Sequence, residues 1–121
     1  LTGKSLSGQI PSTIGQLTAL NGLYLTYNSL TSYIPSEIGR LTALNTLFLS
    51  YNSLTSHIPS EIGRLTSLQY LWLYGNRLNG PIPSEIGRLN VHIITQIVLS
   101  TNSLTSSIPS ELGRLTGLQY L

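Results

Sequence analysis

The stretch Leu65–Arg88 reads LTSLQYLWLYGNRLNGPIPSEIGR. Moved back by 24 residues it falls on Leu41–Arg64, LTALNTLFLSYNSLTSHIPSEIGR, and by another 24 on Leu17–Arg40, LTALNGLYLTYNSLTSYIPSEIGR. A fixed period of this length marks a solenoid. Each repeat is one coil, too small to bury its own apolar side, and only stacking on its neighbours gives a continuous core. The chain therefore reads as a single domain over residues 1–121. It is organised as a partial coil 1–16, coils 17–40, 41–64, 65–90 and 91–114, and a partial coil 115–121. The coil 91–114 is irregular: counting back from Asn102, its framework is Val91, Ile94, Ile97 and Leu99, which puts two extra residues near Leu89 and Asn90. Both ends fall inside a repeat. The reading is a fragment of a longer solenoid, its ends covered by further repeats or by neighbouring subunits.

Within each coil the LxL step predicts a short strand: Leu23–Leu25, Leu47–Leu49, Leu71–Leu73 and Ile97–Leu99. Side chains alternate along a strand, so the leucines point into the core and the residues between them point out of the face. Asn28, Asn52, Asn76 and Asn102 end the strands, where their amides are expected to satisfy backbone groups as the chain turns inward. Pro35, Pro59, Pro83 and Pro109 begin the returning side, where a missing N–H is tolerated. Gly39, Gly63, Gly87 and Gly113 are expected to hold backbone angles that a Cβ penalises.

Leu65, Leu68, Leu71, Leu73, Asn76 and Leu78 follow the leucine-rich repeat pattern LxxLxxLxLxxNxL. The continuation Gly80, Ile82, Pro83, Ile86, Gly87 resembles the GxIPxxIGxL extension of the plant-type subclass, known from receptor-like kinase ectodomains and from polygalacturonase inhibitors. The resemblance covers essentially the whole chain. It implies an α/β-type solenoid, a right-handed superhelix with short parallel β-strands on the concave face, a mostly irregular or 3-10 convex side and little α-helix. It also implies use of the concave face for binding. Ser32, Ser56 and Ser106 depart from the subclass, standing where Gly8 and Gly80 keep its glycine. This is expected to alter the side wall without changing the fold.

Composition narrows the function classes. Only 8% of residues are charged, and the net charge of +2 rests on six basic against four acidic residues. With no basic cluster, nucleic acid is not an expected partner. There is no cysteine, so disulfides do not staple the fold. No apolar run reaches the ~20 residues of a membrane span, and no charged-then-apolar leader segment is visible. The resemblance points to an extracellular setting. The lack of cysteine caps, of a leader and of any Asn-x-Ser/Thr acceptor does not, so the compartment stays open.

No catalytic residue, metal or cofactor is expected. Glu37, Glu61, Glu85 and Glu111 recur in step at the ~5 Å rung spacing of a sheet, close to the spacing of a retaining glycosidase pair. An arginine follows each three residues later (Arg40, Arg64, Arg88, Arg114), and both rows lie on the convex side. The row therefore reads as a solvated charge ladder, each pair contributing ~0–1 kcal/mol. His57 and His92 stand in non-equivalent places without acidic or cysteine neighbours at ligand spacing. No phosphate loop or Ser–His–acid arrangement is present.

The concave face is different. Its central outward column is Tyr24, Phe48, Trp72, Val98. Flanking columns hold Gly22, Thr46, Tyr70, Gln96, Tyr120 on one side and Thr26, Ser50, Tyr74, Ser100 on the other, with Tyr27 and Tyr51 just beyond. No charged residue interrupts these columns, and the rings are close enough to form an offset stack. An exposed aromatic ribbon of this kind is an interaction site, against the alternative that the rings only stabilise the sheet. Arg77, at the edge, reads as a solvated arginine. The candidate ligand-binding residues are Tyr24, Thr26, Tyr27, Thr46, Phe48, Ser50, Tyr51, Tyr70, Trp72, Tyr74, Gln96, Val98 and Tyr120, and the expected partner is a protein or peptide. Two other readings stand beside this one. The first is a structural subunit wedged in a larger assembly. The second is ice binding by the side-wall ladder Thr31–Ser32, Thr55–Ser56, Thr105–Ser106, which Asn79 and Gly80 interrupt; the family includes a plant antifreeze member.

Overall fold

The computed structural model describes all residues 1–121. Four short strands, Gly22–Tyr24, Thr46–Phe48, Tyr70–Trp72 and Gln96–Val98, form one parallel sheet in chain order. The register steps by whole coils, with Leu23, Leu47, Leu71 and Ile97 side by side. These bounds begin and end one residue before the expected ones. The hydrogen-bonded ladder nevertheless continues through Leu25 N–H to Phe48 O and Leu49 N–H to Trp72 O. The in/out phase is as expected: Leu23, Leu25, Leu47, Leu49, Leu71, Leu73 and Ile97 are all buried, while Leu99 packs half-buried against the same core. Tyr120 adds a single bridge to Gln96.

A second ladder that the leucine pattern does not announce runs along the side wall. Ser7–Gly8, Ser29–Ser32 and Ser53–Leu54 form one parallel group, and Asn79–Gly80 and Ser103–Leu104 another. Opposite the main sheet, each coil closes with a five-residue 3-10 turn: Ser12–Gln16, Ser36–Arg40, Ser60–Arg64, Ser84–Arg88 and Ser110–Arg114. Proline sets the entry to these turns. Pro35, at φ −66° and ψ 139°, is already extended, and its carbonyl accepts the Ile38 N–H at 3.0 Å, an i to i+3 bond. The same pattern recurs after Pro59, Pro83 and Pro109.

The glycines of these turns correct one expectation. Gly39, Gly63 and Gly87 do not have positive φ. Their role is clearance, because a Cβ there runs into the glutamate of the next coil: at Gly39 it lies 2.7 Å from both Cβ and the carbonyl oxygen of Glu61. The side wall, by contrast, does use positive φ. Ser32, Ser56 and Ser106 sit at φ 69°, 68° and 72°, in the left-handed region that Gly80 occupies at 72°. The fold absorbs the serines without a change of path.

The asparagines tie one coil to the next. Asn76 Oδ1 accepts the Leu54 N–H at 3.1 Å, while its Nδ2 donates to Leu49 O at 3.0 Å and Leu73 O at 2.9 Å. Asn52 and Asn102 repeat this set, so Leu49 O and Leu73 O each accept from two asparagines. Asn28 does the same for Leu6 N–H and Leu25 O.

The irregular coil is also resolved. Leu89 is buried where Leu65 is in its own coil, and Val91 is only half-buried. The extra length lies in the turn that follows, where Ile93 and Ile94 N–H both donate to Asn90 O, and Asn90 Oδ1 accepts the His92 N–H at 3.0 Å. No helix is long and apolar enough to cross a membrane.

Candidate functional site

The sheet carries the outward column Tyr24, Phe48, Trp72, Val98 in register. Phe48 and Trp72 stack at 3.9 Å between centroids with planes 10° apart, and Tyr24 meets Phe48 edge-on at 5.5 Å. The Tyr24 ring lies back over Gly22, where a Cβ has no room. A second row runs beside the first. Tyr27 stacks on Tyr51 at 4.4 Å and 14°, Tyr51 meets Tyr74 edge-on at 5.1 Å, and Tyr74 tilts against Trp72 at 6.2 Å. Six rings are thus joined into one continuous track that runs out along the first row and returns along the second.

The second row depends on an unusual backbone. Tyr27 and Tyr51 hold φ 56° and 52°, the left-handed region, at the turn before each asparagine. In the coil starting at Leu65, Gly75 occupies the same place at φ 68°, and the Tyr51 ring covers it so closely that a Cβ would lie 2.9 Å from the ring. The Tyr27 phenol is held above its ordinary value of 10.0, first by partial removal from water, then by the neighbouring Tyr51 and Tyr74 phenols.

Not every expected site residue reaches the surface. Thr26, Thr46 and Ser50 are buried, at 8%, 6% and 0% exposure. Small side chains between large ones lie below the level of the rings. The hydroxyls of Thr26 and Ser50 have no hydrogen-bond partner within the protein, while Thr46 donates to Asn45 Oδ1 at 3.0 Å. Tyr24, Tyr27, Tyr51 and Tyr120 are exposed, and Phe48, Tyr70, Trp72, Tyr74, Gln96 and Val98 are half-buried. Trp72 Nε1–H donates to Gln96 Oε1 at 3.1 Å, which fixes the indole. Asn45 Nδ2 donates to Gln69 Oε1 at 3.3 Å, each residue directly preceding its strand, a contact the sequence reading did not single out.

Beside Trp72 the face dips into a hollow of about 470 Å³, whose lining includes Tyr51, Trp72, Tyr74, Gln96, Val98 and Tyr120. A larger hollow of about 930 Å³ lies on the flank among Pro59, Pro83, His57 and Glu61. Its walls are the proline, serine and glutamate positions repeated coil by coil, with Tyr33 the one phenol among them, so the contacting rings leave the aromatic face as the candidate. On the convex side each glutamate accepts a bond from the serine before it, as Ser60 Oγ to Glu61 at 3.3 Å. His57 Nδ1 lies 3.2 Å from Ser56 Oγ. No three His, Asp or Glu side chains come together as a metal site.

The leucine-rich repeat region model matches residues 2–121. No curated protein sequence matches the chain. Among solved structures it resembles the ectodomain of the Arabidopsis thaliana membrane receptor kinase GASSHO1/SCHENGEN3 in complex with CASPARIAN STRIP INTEGRITY FACTOR 2, at 44% identity and TM-score 0.93 over 97% of this chain and 14% of that one. It also resembles the plant peptide hormone receptor RGFR1 in complex with RGF2, at 35% identity and TM-score 0.96 over 100% of this chain and 19% of that one. A third is the Arabidopsis receptor kinase HAESA in complex with the peptide hormone IDA and the co-receptor SERK1, at 40% identity and TM-score 0.92 over 99% and 20%. The chain spans no more than a fifth of the length of these three. The coil-to-coil asparagine bonds, the parallel sheet and the match along the whole chain agree: the protein belongs to the leucine-rich repeat family, in the form seen in plant receptor-kinase ectodomains.

Proposed function

We propose that the chain is a non-enzymatic binding module that recognises a protein or peptide on its aromatic concave face. The track of six contacting rings carries this reading. Tyr24, Tyr27 and Tyr51 remain 47%, 59% and 44% exposed although each already packs on a neighbouring ring. Burying such rings under a partner is favourable at roughly 25 cal/mol per Å², and aromatic anchors dominate interface energetics. Support also comes from the complexes with a peptide hormone seen for similar ectodomains. The scaffold reading differs in what it requires of the rings, since a purely structural track makes no difference to binding.

The test is to select peptides from a random display library on the immobilised chain and measure their affinity by calorimetry. Trp72→Ala is expected to weaken the selected peptides by ~30-fold, equivalent to about 2 kcal/mol at a central aromatic. Tyr74→Ala serves as a second variant should loss of the indole disturb the stack. Unchanged affinity for both variants, with folding intact, refutes the reading and returns the rings to a structural role.

A further inference from the structure

Resting on that binding role and specifying it, we infer that the hollow over Val98 is a slot for one uncharged aromatic side chain of the partner. Phe48 and Trp72 stack nearly parallel, so one face of the indole is occupied by Phe48. The next rung of the same column carries Val98, and the rung after that brings Tyr120, which pairs with Gln96 in the adjacent column. Trp72, Val98 and Tyr120 all line the hollow. Rungs are ~4.8 Å apart, so Tyr120 lies two rungs, ~9.6 Å, along the sheet from Trp72 and one column to the side. One ring stacked at an ordinary contact distance of ~3.5–4 Å on the indole face away from Phe48 lies over the Val98 rung, with Tyr120 bounding it obliquely on the far side. A guest ring resting on the Val98 methyl groups continues the column as its fourth ring, after Tyr24, Phe48 and Trp72.

The lining also selects the chemistry of the guest. The bond from Trp72 Nε1 to Gln96 Oε1 leaves the Gln96 amide NH₂ as a donor at the rim, and Ser100 and Thr101 add hydroxyls. A phenol or indole has both the apolar body and the polar edge to match. No Lys, Arg, Asp or Glu lines the hollow. A phosphorylated, sulfated or acidic side chain entering it loses water without gaining a counter-charge.

The probe is N-acetyl-tyrosinamide titrated into the chain by NMR. Saturable ring-current shifts at the Val98 methyls and the Trp72 Nε1–H are expected, with N-acetyl-alaninamide and the O-phosphorylated tyrosine amide at least tenfold weaker. Val98→Phe supplies the fourth ring from the chain itself. It is expected to lower affinity for the probe at least tenfold while keeping the melting temperature, whereas Val98→Ala keeps the slot open and retains binding. Unmoved Val98 methyls, equal shifts from N-acetyl-alaninamide or N-acetyl-prolinamide, or wild-type affinity in Val98→Phe each overturn the inference. Display-selected peptides that need Trp72 but ignore Val98→Phe overturn the slot and leave the binding module standing. A slot that takes the probe while no peptide is ever selected does the opposite.

Discussion

Removing the Asn76 side chain tests how the coils are held to one another. Asn76→Ala takes away three hydrogen bonds of 2.9–3.1 Å in a buried setting. Their losses are unequal. Leu49 O and Leu73 O keep a second amide, from Asn52 and Asn102 respectively, so each forfeits one of two partners. Leu54 N–H loses its amide acceptor outright, and a buried donor left unpaired costs ~1–3 kcal/mol. Adding a few tenths for each half-satisfied carbonyl gives an expected loss of about 3 kcal/mol. Because two of the three bonds run to the preceding coil, the effect falls on the interface between coils, the term that makes a stacked-repeat protein cooperative. Urea unfolding followed by the single tryptophan, Trp72, reads the total, and hydrogen exchange at the Leu54 amide reads the location. Asn102→Ala, closer to water, is expected to lose less. Asn76→Asp keeps an acceptor for Leu54 but turns a carboxylate oxygen toward two carbonyls, so it is expected to be worse than alanine at neutral pH and to recover as the acid protonates. A loss below about 1 kcal/mol in Asn76→Ala, with Leu54 as slow to exchange as before, refutes the idea that the amides join the coils.

Two further outcomes follow from backbone and charge. Ser56→Gly relieves a left-handed serine at φ 68°. Weighing ~1–2 kcal/mol of left-handed penalty against the greater unfolded-state freedom of glycine gives a gain of ~0.5–1 kcal/mol, and an unchanged or lower melting temperature counts against the strain. The Tyr27 phenol, raised above 10.0, is favoured neutral by the fold. Its contribution to stability is therefore intact below pH ~10 and declines as pH rises past that value, and urea unfolding above pH ~10 should show that decline lessened in Tyr27→Phe.

The period, the leucine phase and the strand ladder are legible in the sequence because every coil repeats the same burial problem, and each copy of Leu23, Leu47 and Leu71 solves it identically. What escapes the pattern depends on neighbours across coils. Thr26, Thr46 and Ser50 alternate outward in sequence, yet they are buried, because the larger side chains around them rise higher. Burial of that kind is set by relative side-chain size, which the alternation of a single strand does not encode. The serine-rich side-wall ladder is held by contacts one coil away, such as Thr55 N–H to Ser32 O at 2.7 Å, with little apolar signal of its own. The irregular coil misleads for a similar reason. Val91 looks like a framework residue by spacing, but Leu89 takes the buried place and Asn90 shapes the turn with its own side chain. The hollow beside Trp72 was not announced by any motif; its only sequence trace is the valine that ends an aromatic column.

The clearance at Gly39, Gly63 and Gly87 governs more than the returning side of the coils. A sheet fixes the spacing of successive coils on the inner face at ~4.8 Å, so any bend of the solenoid must come from the spacing of its outer rim. With no side chain between the 3-10 turns, the Glu61 backbone approaches Gly39 within a distance that a methyl group would forbid. A methyl placed there acts as a wedge. It opens the rim, sharpens the curvature and crowds the inward-facing rings against one another. The three glycines thus keep the arc shallower than methyl groups there would, and the opening of the aromatic surface is set on the opposite side of the molecule.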